Sequence, residues 1–328
     1  MQVSVAYGMK FVMLPPQTAT RRAWASRLAA ALPQVNVAVA EDMQQARDAI
    51  VEADAAFGTL PLELLRNAKR LRWLQAPHAA PPAGYYYPEL IAHPLVVTNF
   101  REIFNDHISA HIMAYVLAFA RGLHVYCPQQ LHREWRPMPQ NEGTVHLPEA
   151  TALVVGVGGI GGEAARLCAA FGMRVIGVDA RRKDLLPGLS ELHPPDALDA
   201  LLPLADFVIL TVPHTPATEG YMNRARFQRM KRSAFFINIG RGKTTRLADL
   251  VDALKSGEIS GAGLDVFEEE PLPQDHPLWT MPGVIITPHV AGYGPYLDER
   301  RFEIILENCR RFLAGEPLRN IVDKASWF

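Results

Sequence analysis

Ala152-Leu-Val-Val-Gly156-Val-Gly158-Gly159-Ile160-Gly161 is the stretch that decides the fold. An apolar, β-rich run enters a GxGxxG turn, and a helical pattern, Glu163–Phe171, follows at once, which is the context this motif needs. Gly156 permits a tight turn, Gly158 lets backbone approach a pyrophosphate, and Gly161 lets helix and strand pack closely. The helix N-terminus, entered through Gly159 and Ile160, adds free N–H groups and a partial positive charge. A second run, Met173–Asp179, ends in an acid 18 residues after Gly161, where a carboxylate accepts hydrogen bonds from an adenosine ribose. Together these residues predict a dinucleotide site. The charge of Asp179 opposes a 2′-phosphate and favours NAD. Arg181 and Arg182 follow it, however, and guanidinium groups are good partners for such a phosphate, so NADP or dual use stays open.

Outward from this turn the chain alternates strands and helices. Towards the C-terminus, strand patterns recur at Asp206–Pro213, Ala234–Gly240, Gly261–Phe267 and Val284–His289, with a weak one near Leu189–His193. About six strands suit a dinucleotide-binding sheet. Towards the N-terminus, strand patterns at Val3–Tyr7, Val35–Ala40, Asp54–Gly58, Leu71–Gln75 and Leu95–Asn99 alternate with helical ones at Ala23–Leu32, Met43–Val51 and Pro61–Lys69. That alternation predicts a second open parallel sheet, flavodoxin-like in order. Between the two series, an apolar helical pattern runs from Ile103 to Leu123, and a polar, proline-rich connection from Cys127 to Pro148. So hydrophobic a helix is expected to be buried between domains or subunits.

Composition narrows the possible partners. The 328 residues are 49% hydrophobic and 20% charged, with a formal net charge of -1, so a two-domain globular protein is expected and a nucleic-acid footprint is missing. Three widely separated cysteines make neither a disulfide framework nor a structural zinc site. The start carries no secretory pattern. The apolar stretch Ile108–Leu123 falls short of the ~20 residues that cross a bilayer. A cytoplasmic protein with a small-molecule partner is expected.

Three titratable or charged residues follow strand patterns in the second half: Arg241 in Asn238-Ile-Gly-Arg-Gly, Glu270 in Asp265-Val-Phe-Glu-Glu-Glu-Pro271, and His289 in Thr287-Pro-His-Val-Ala-Gly292. Open α/β sheets place ligands at such strand ends. Taken singly, each has an ordinary reading as an ion pair, a solvated acid or a turn residue. Taken with Gly156–Gly161, Asp179 and Thr211-Val-Pro213 with Thr218, they make the chain resemble the D-isomer-specific 2-hydroxyacid dehydrogenases over nearly its whole length.

That resemblance implies a hydride exchange between NAD(P)(H) and C2 of a small 2-oxo or D-2-hydroxy acid. It makes Arg241 the binder of the substrate carboxylate, His289 the proton donor and acceptor, and Glu270, the acid directly before proline, its partner. Asp265 would accept from the nicotinamide carboxamide. Val212, Pro213, Thr218, Ile239, Gly240, Arg241, His289 and Gly292 would border the cofactor. A guanidinium holds a carboxylate in a fixed plane as a lysine does not. A histidine titrates near neutrality, and a carboxylate on its far nitrogen fixes the tautomer. The same resemblance implies an α/β pair of doubly wound domains, a Rossmann domain of 103–292 inserted into a substrate domain of 1–102 and 293–328, with a final helix from Leu297 to Leu313. It also implies closure about hinges near Ile103 and Tyr293, and a homodimer formed through the helix near 104–123.

Two places depart from the family pattern. After the fourth strand, Ala76-Pro-His78-Ala79-Ala80 replaces the usual small polar-Ala-Gly turn. Amides of Ala79 and Ala80 remain candidate donors to the carboxylate, and His78 is a candidate substrate contact or a packed rim residue. On the long helix, Ala110-His111 replaces Ala-Glu. His107 and His111 stand four apart, but with no third ligand packing is favoured over a metal. Rival readings are a dinucleotide-sensing protein with little turnover, or phosphite oxidation on the same scaffold. Formate oxidation is disfavoured, because formate enzymes of this fold carry glutamine where Glu270 stands.

Overall fold

The computed structural model describes residues 8–79, 84–139 and 143–325. The chain divides into two compact units, Met1–Ile103 with Pro295–Phe328, and Phe104–Gly294.

The first unit runs β1 (Met9–Met13), α1 (Ala19–Ala31), β2 (Val35–Val39), α2 (Met43–Ile50), β3 (Ala55–Phe57), α3 (Leu62–Asn67), β4 (Trp73–Gln75), α4 (Pro88–Ala92) and β5 (Val96–Thr98). The strands pair in parallel in the order β2-β1-β3-β4-β5, the flavodoxin-like arrangement. Strands β3 and β4 are buried throughout, as a parallel sheet covered on both faces requires. Thr18 and Asp42 cap α1 and α2 by accepting from Arg21 N and Gln45 N. The expected strand Val3–Tyr7 lies outside the described residues. The first strand described is Met9–Met13, whose apolar run was legible but was not assigned to the sheet.

The second unit runs α5 (Asn105–Ala120), α6 (Leu123–Leu131), β6 (Thr151–Val155), α7 (Gly159–Ala170), β7 (Arg174–Val178), β8 (Glu191–His193), α8 (Leu198–Leu201), β9 (Phe207–Leu210), α9 (Arg224–Phe227), β10 (Phe235–Asn238), α10 (Leu247–Lys255), β11 (Gly261–Leu264) and β12 (Val284–Ile286). Its parallel sheet is ordered β12-β11-β10-β9-β6-β7-β8. Counted from β6, this is the Rossmann order with one strand added beyond the sixth. The weakly patterned run near Leu189–His193 is the edge strand β8. The order of the sheet reverses between β6 and β9, and that is where such sheets bind ligands.

The long apolar helix corrects two expectations. It stops at Ala120, because Gly122 turns left-handed at φ 69° and α6 leaves at 77° to α5. Residues expected in a polar connection, from Cys127 to Leu131, therefore continue a helix with Pro128 inside it and no buried residue. The hydrophobicity of α5 is used within its own unit. Ile112, Met113, Val116, Phe119 and Ala120 are buried, Phe119 stacks on Phe235 with ring centres 4.5 Å apart, and Met113 Sδ meets Cys168 Sγ at 3.7 Å. Among the described residues no single helix is long and apolar enough to cross a membrane.

The last helix, α11 (Leu297–Ala314), belongs to the first unit. Phe302, Ile304, Ile305 and Cys309 bury its inner face. A two-bond fork joins Glu299 to Arg27 of α1. Buried Asn308 accepts from Arg319 N at 2.7 Å and donates to Gln75 Oε1 at 3.4 Å, and Val322 N then bonds Val97 O at 2.8 Å.

Candidate active site

The glycine turn has the geometry its sequence called for. Gly156 lies at φ 95°, where side chains are strained. A Cβ on Gly161 would stand 1.9 Å from Gly156 O, so α7 can cross β6 only with glycine there. A Cβ on Gly158 would meet nothing within 4 Å, so the approach to the turn is open. Helix α7 begins at Gly159 and Ile160 with no side-chain cap, leaving its first N–H groups for a ligand. These residues fit a dinucleotide pyrophosphate.

Asp179, at the end of β7, is turned towards this loop. Oδ2 accepts from Val157 N at 2.7 Å, and Oδ1 from Arg181 N and Arg182 N at 2.8 Å each. Arg182 Nε closes the ring by donating to Val157 O at 2.8 Å. Partial burial works to raise the Asp179 pKa, but the three N–H donors and the Arg182 charge outweigh it and the carboxyl titrates low. Arg182 thus braces the turn through Nε. On the facing side, Val212 packs against Gly156, and Thr218 Oγ1 donates to Pro213 O at 2.6 Å, fixing the loop after β9.

Arg241 stands between two constrained glycines. A Cβ on Gly240 would lie 2.6 Å from Val212 O, and one on Gly242 only 1.7 Å from Phe267 O. Buried Asn238 holds the turn by accepting from Gly240 N at 3.0 Å and donating to Arg241 O at 3.2 Å. Burial lowers the pKa of the Arg241 guanidinium, and the charge of Glu270 works against that. A guanidinium stays protonated even so. It is a fixed cation beside a carboxylate.

Glu270 and His289 pair directly. Glu270 Oε2 lies 2.7 Å from His289 Nδ1, while Oε1 accepts from Phe267 N at 3.0 Å. With Glu270 as the acceptor, the hydrogen of the contact sits on His289 Nδ1, and Nε2 takes no part in it. His289 adopts φ 55°, a strained setting for a residue with a side chain. Asp265 secures that turn: Oδ1 accepts from Val290 N at 2.8 Å and Oδ2 from Ala291 N at 2.9 Å. Ile239 is buried beside the site, and Gly292 has room for a side chain against Phe104. Arg241, Asp265, Glu270 and His289 thus fall on the loops after β10, β11 and β12.

Sequence reasoning gave no role to Asn238 or Thr287, although both lay inside quoted motifs. Their signal was position, a polar residue closing an apolar strand or preceding Pro-His. His78 and Ala79 follow β4 in the first unit, and Ala80 lies outside the described residues. Partial burial, with the charges of Arg21 and Arg301, holds the His78 imidazole below its ordinary pKa. Ala79 O accepts from Asn99 Nδ2 at 2.9 Å. Among the described residues no group of three His, Cys, Asp or Glu side chains could hold a metal ion.

A Rossmann sheet with an open glycine turn and a polar cluster beyond its strand ends defines a dinucleotide-binding α/β protein. Residues 113–291 match the pattern of the D-isomer specific 2-hydroxyacid dehydrogenase, NAD binding domain. A glyoxylate reductase of Korarchaeum cryptofilum is 34% identical over 80% of this chain and 79% of its own. A D-isomer specific 2-hydroxyacid dehydrogenase of Xanthobacter autotrophicus, solved with NADPH, superposes with a TM-score of 0.82 at 30% identity, over 98% of this chain and 99% of that one. An NADPH-dependent glyoxylate/hydroxypyruvate reductase of Sinorhizobium meliloti, solved with NADP and sulfate, gives a TM-score of 0.79 at 29% identity, over 98% and 100% of the two chains. The chain belongs to the D-isomer specific 2-hydroxyacid dehydrogenase family.

Proposed function

We propose that this protein reduces a small 2-oxo acid of the glyoxylate or hydroxypyruvate kind to its D-2-hydroxy acid, with NAD(P)H as reductant. The observation that carries the reading is the 2.7 Å contact between His289 Nδ1 and Glu270 Oε2. It leaves a second nitrogen, Nε2, on the same set of strand-end loops as the half-buried guanidinium of Arg241.

Bound nicotinamide supplies the hydride equivalent. Arg241 holds the substrate carboxylate in a plane and so orients C2. His289 Nε2 gives its proton to the oxygen on C2 as negative charge develops there, a contribution of about 10²–10⁴-fold. Glu270 stabilises the imidazolium state on the way and keeps the proton on Nδ1 once Nε2 has given its own away. Asp265, with three acceptor positions used by the chain itself, keeps one on Oδ2 for the carboxamide. In this reading 103–292 is the dinucleotide domain, and 1–102 with 293–328 the substrate domain.

Both cofactors are expected to serve. The Asp179 charge favours NAD, while the relatives solved with NADPH and NADP and the neighbouring Arg181 and Lys183 favour NADP. A cytoplasmic homodimer completes the proposal. The apolar face of α5 is spent inside its own unit, whereas Leu131 and Trp135 are 84% and 96% exposed, so light scattering at micromolar concentration is expected to give twice the chain mass.

The deciding experiment follows NADH and NADPH oxidation over a panel of 2-oxo acids, with phosphite and NAD(P) as a further pair and His289→Ala as control. Turnover of glyoxylate or hydroxypyruvate that His289→Ala lowers by about 10²-fold or more supports the reading. Dinucleotide binding with no turnover on any acid would favour a sensor, and phosphite turnover would replace the substrate class.

A further inference from the structure

Behind the His289 turn, Asp265 is backed by His111 and Tyr115, which no step above uses. Thr287 Oγ1 donates to Asp265 Oδ1 at 2.6 Å. The same hydroxyl lies 3.0 Å from His111 Nε2 and meets the Tyr115 hydroxyl, which is itself 3.1 Å from Leu264 O. His111 and Tyr115 are four residues apart on α5, with rings edge to face at 4.9 Å. A helix that reads as pure packing thus carries two polar groups to the back of the site.

Counting protons fixes the direction of this chain of contacts. Thr287 Oγ1 is the donor to Asp265 Oδ1, so its single hydroxyl proton is spent there. Nothing remains for Thr287 to give to His111. The hydrogen between them must come from the imidazole, so His111 carries its proton on Nε2. Partial burial lowers the His111 pKa and the charge of Asp265 opposes this; a neutral ring with one fixed N–H is the outcome near neutrality. That nitrogen is committed to Thr287, which leaves the His107/His111 spacing no metal role through it.

The geometry points to His111 as a positioning residue for the proton-transferring histidine. His111 N–H fixes the Thr287 hydroxyl, the hydroxyl fixes Asp265, and Asp265 accepts from the two amides directly after His289. His289 N also bonds Thr287 O at 3.1 Å. The strained residue is therefore pinned on both sides. Backbone strain of this kind, of about 1–3 kcal/mol, persists only where the surroundings over-determine it. The inference rests on the proposed reaction for the role of His289 and on geometry alone for the pinning.

Two readings test it in the whole protein. First, nitrogen-15 spectra of the imidazoles near neutral pH are expected to report His111 as the Nε2–H tautomer. Second, His111→Leu removes the donor, while His111→Gln returns an amide N–H near the same place. In His111→Leu the Val290 and Ala291 amides are expected to exchange with solvent about 10-fold faster, and kcat for glyoxylate or hydroxypyruvate to fall about 10-fold, as expected for one lost buried hydrogen bond. The KM for the acid should stay within about 2-fold, and His111→Gln should recover most of both losses. An Nδ1–H tautomer, or unchanged Val290 and Ala291 exchange in His111→Leu, overturns the inference. Should the wild type reduce no 2-oxo acid, the reaction reading falls, while tautomer and exchange still decide the pinning. If His111→Leu does not fold, Thr287→Val against Thr287→Ser gives the same comparison.

Discussion

At the scale of single residues, charge and hydrogen-bond direction decide what each group can do. Glu270 has two tasks, because it fixes the His289 tautomer and offsets the burial of Arg241. Glu270→Gln preserves shape and loses the charge. We expect kcat to fall by about 10²-fold or more, because a neutral amide does little to stabilise an imidazolium. Unchanged steady-state kinetics in that variant would contradict the pairing. Asp179 supplies a prediction in pH. Its folded pKa is lowered, so its contribution to stability is complete above the unfolded carboxylate value of about 3.9 and is lost as pH falls through the lower folded value. Asp179→Ala is expected to unfold at lower urea than the wild type near neutrality, with the gap closing in acid below pH about 4. A gap that widens in acid would reverse the sign.

At the scale of elements, close approach of backbones sets what the sequence may be. Gly161→Ala would put a methyl group 1.9 Å from Gly156 O, and overpacking of this kind costs about 1–3 kcal/mol. Thermal unfolding should report that loss, and titration with NADH a loss of binding. Elements of this kind were the legible ones. A glycine pattern declares its contacts in the chain itself, and so did the alternation of β3, β4, β6 and β10 with helices. The pattern was silent where tertiary context took over. The stretch from Cys127 read as a polar, proline-rich connection, yet Pro128 sits inside α6, and Met9–Met13 was not among the expected strands although it is the second strand from the edge of its sheet. That His289, Glu270 and Arg241 follow strands was legible from the apolar runs before them. Asp265 was assigned to the cofactor; its grip on the two amides after His289, like the bracing by Asn238 and Thr287, depends on contacts across separate strands that no spacing reveals.

At the scale of the molecule, the first unit is discontinuous in sequence. Its sheet is made from the first hundred residues, yet α11 supplies Phe302, Ile305 and Asn308 to its interior. Asn308→Ala would leave Arg319 N–H without its 2.7 Å acceptor and Gln75 without its 3.4 Å donor, a loss of about 1–3 kcal/mol. A lower urea midpoint for unfolding of that unit is expected, and an unchanged one would mean that Asn308 has no structural weight. The order in which a ribosome emits the chain follows from the same arrangement. The segment Phe104–Gly294 has left the tunnel as a complete sequence while the earlier segment still awaits its closing helix, so the usual N-terminal-first order of domain maturation is inverted here. During synthesis a nascent polypeptide of this protein would acquire a finished nucleotide-binding fold ahead of the other one, leaving the strands of the split unit the longest in need of chaperone cover.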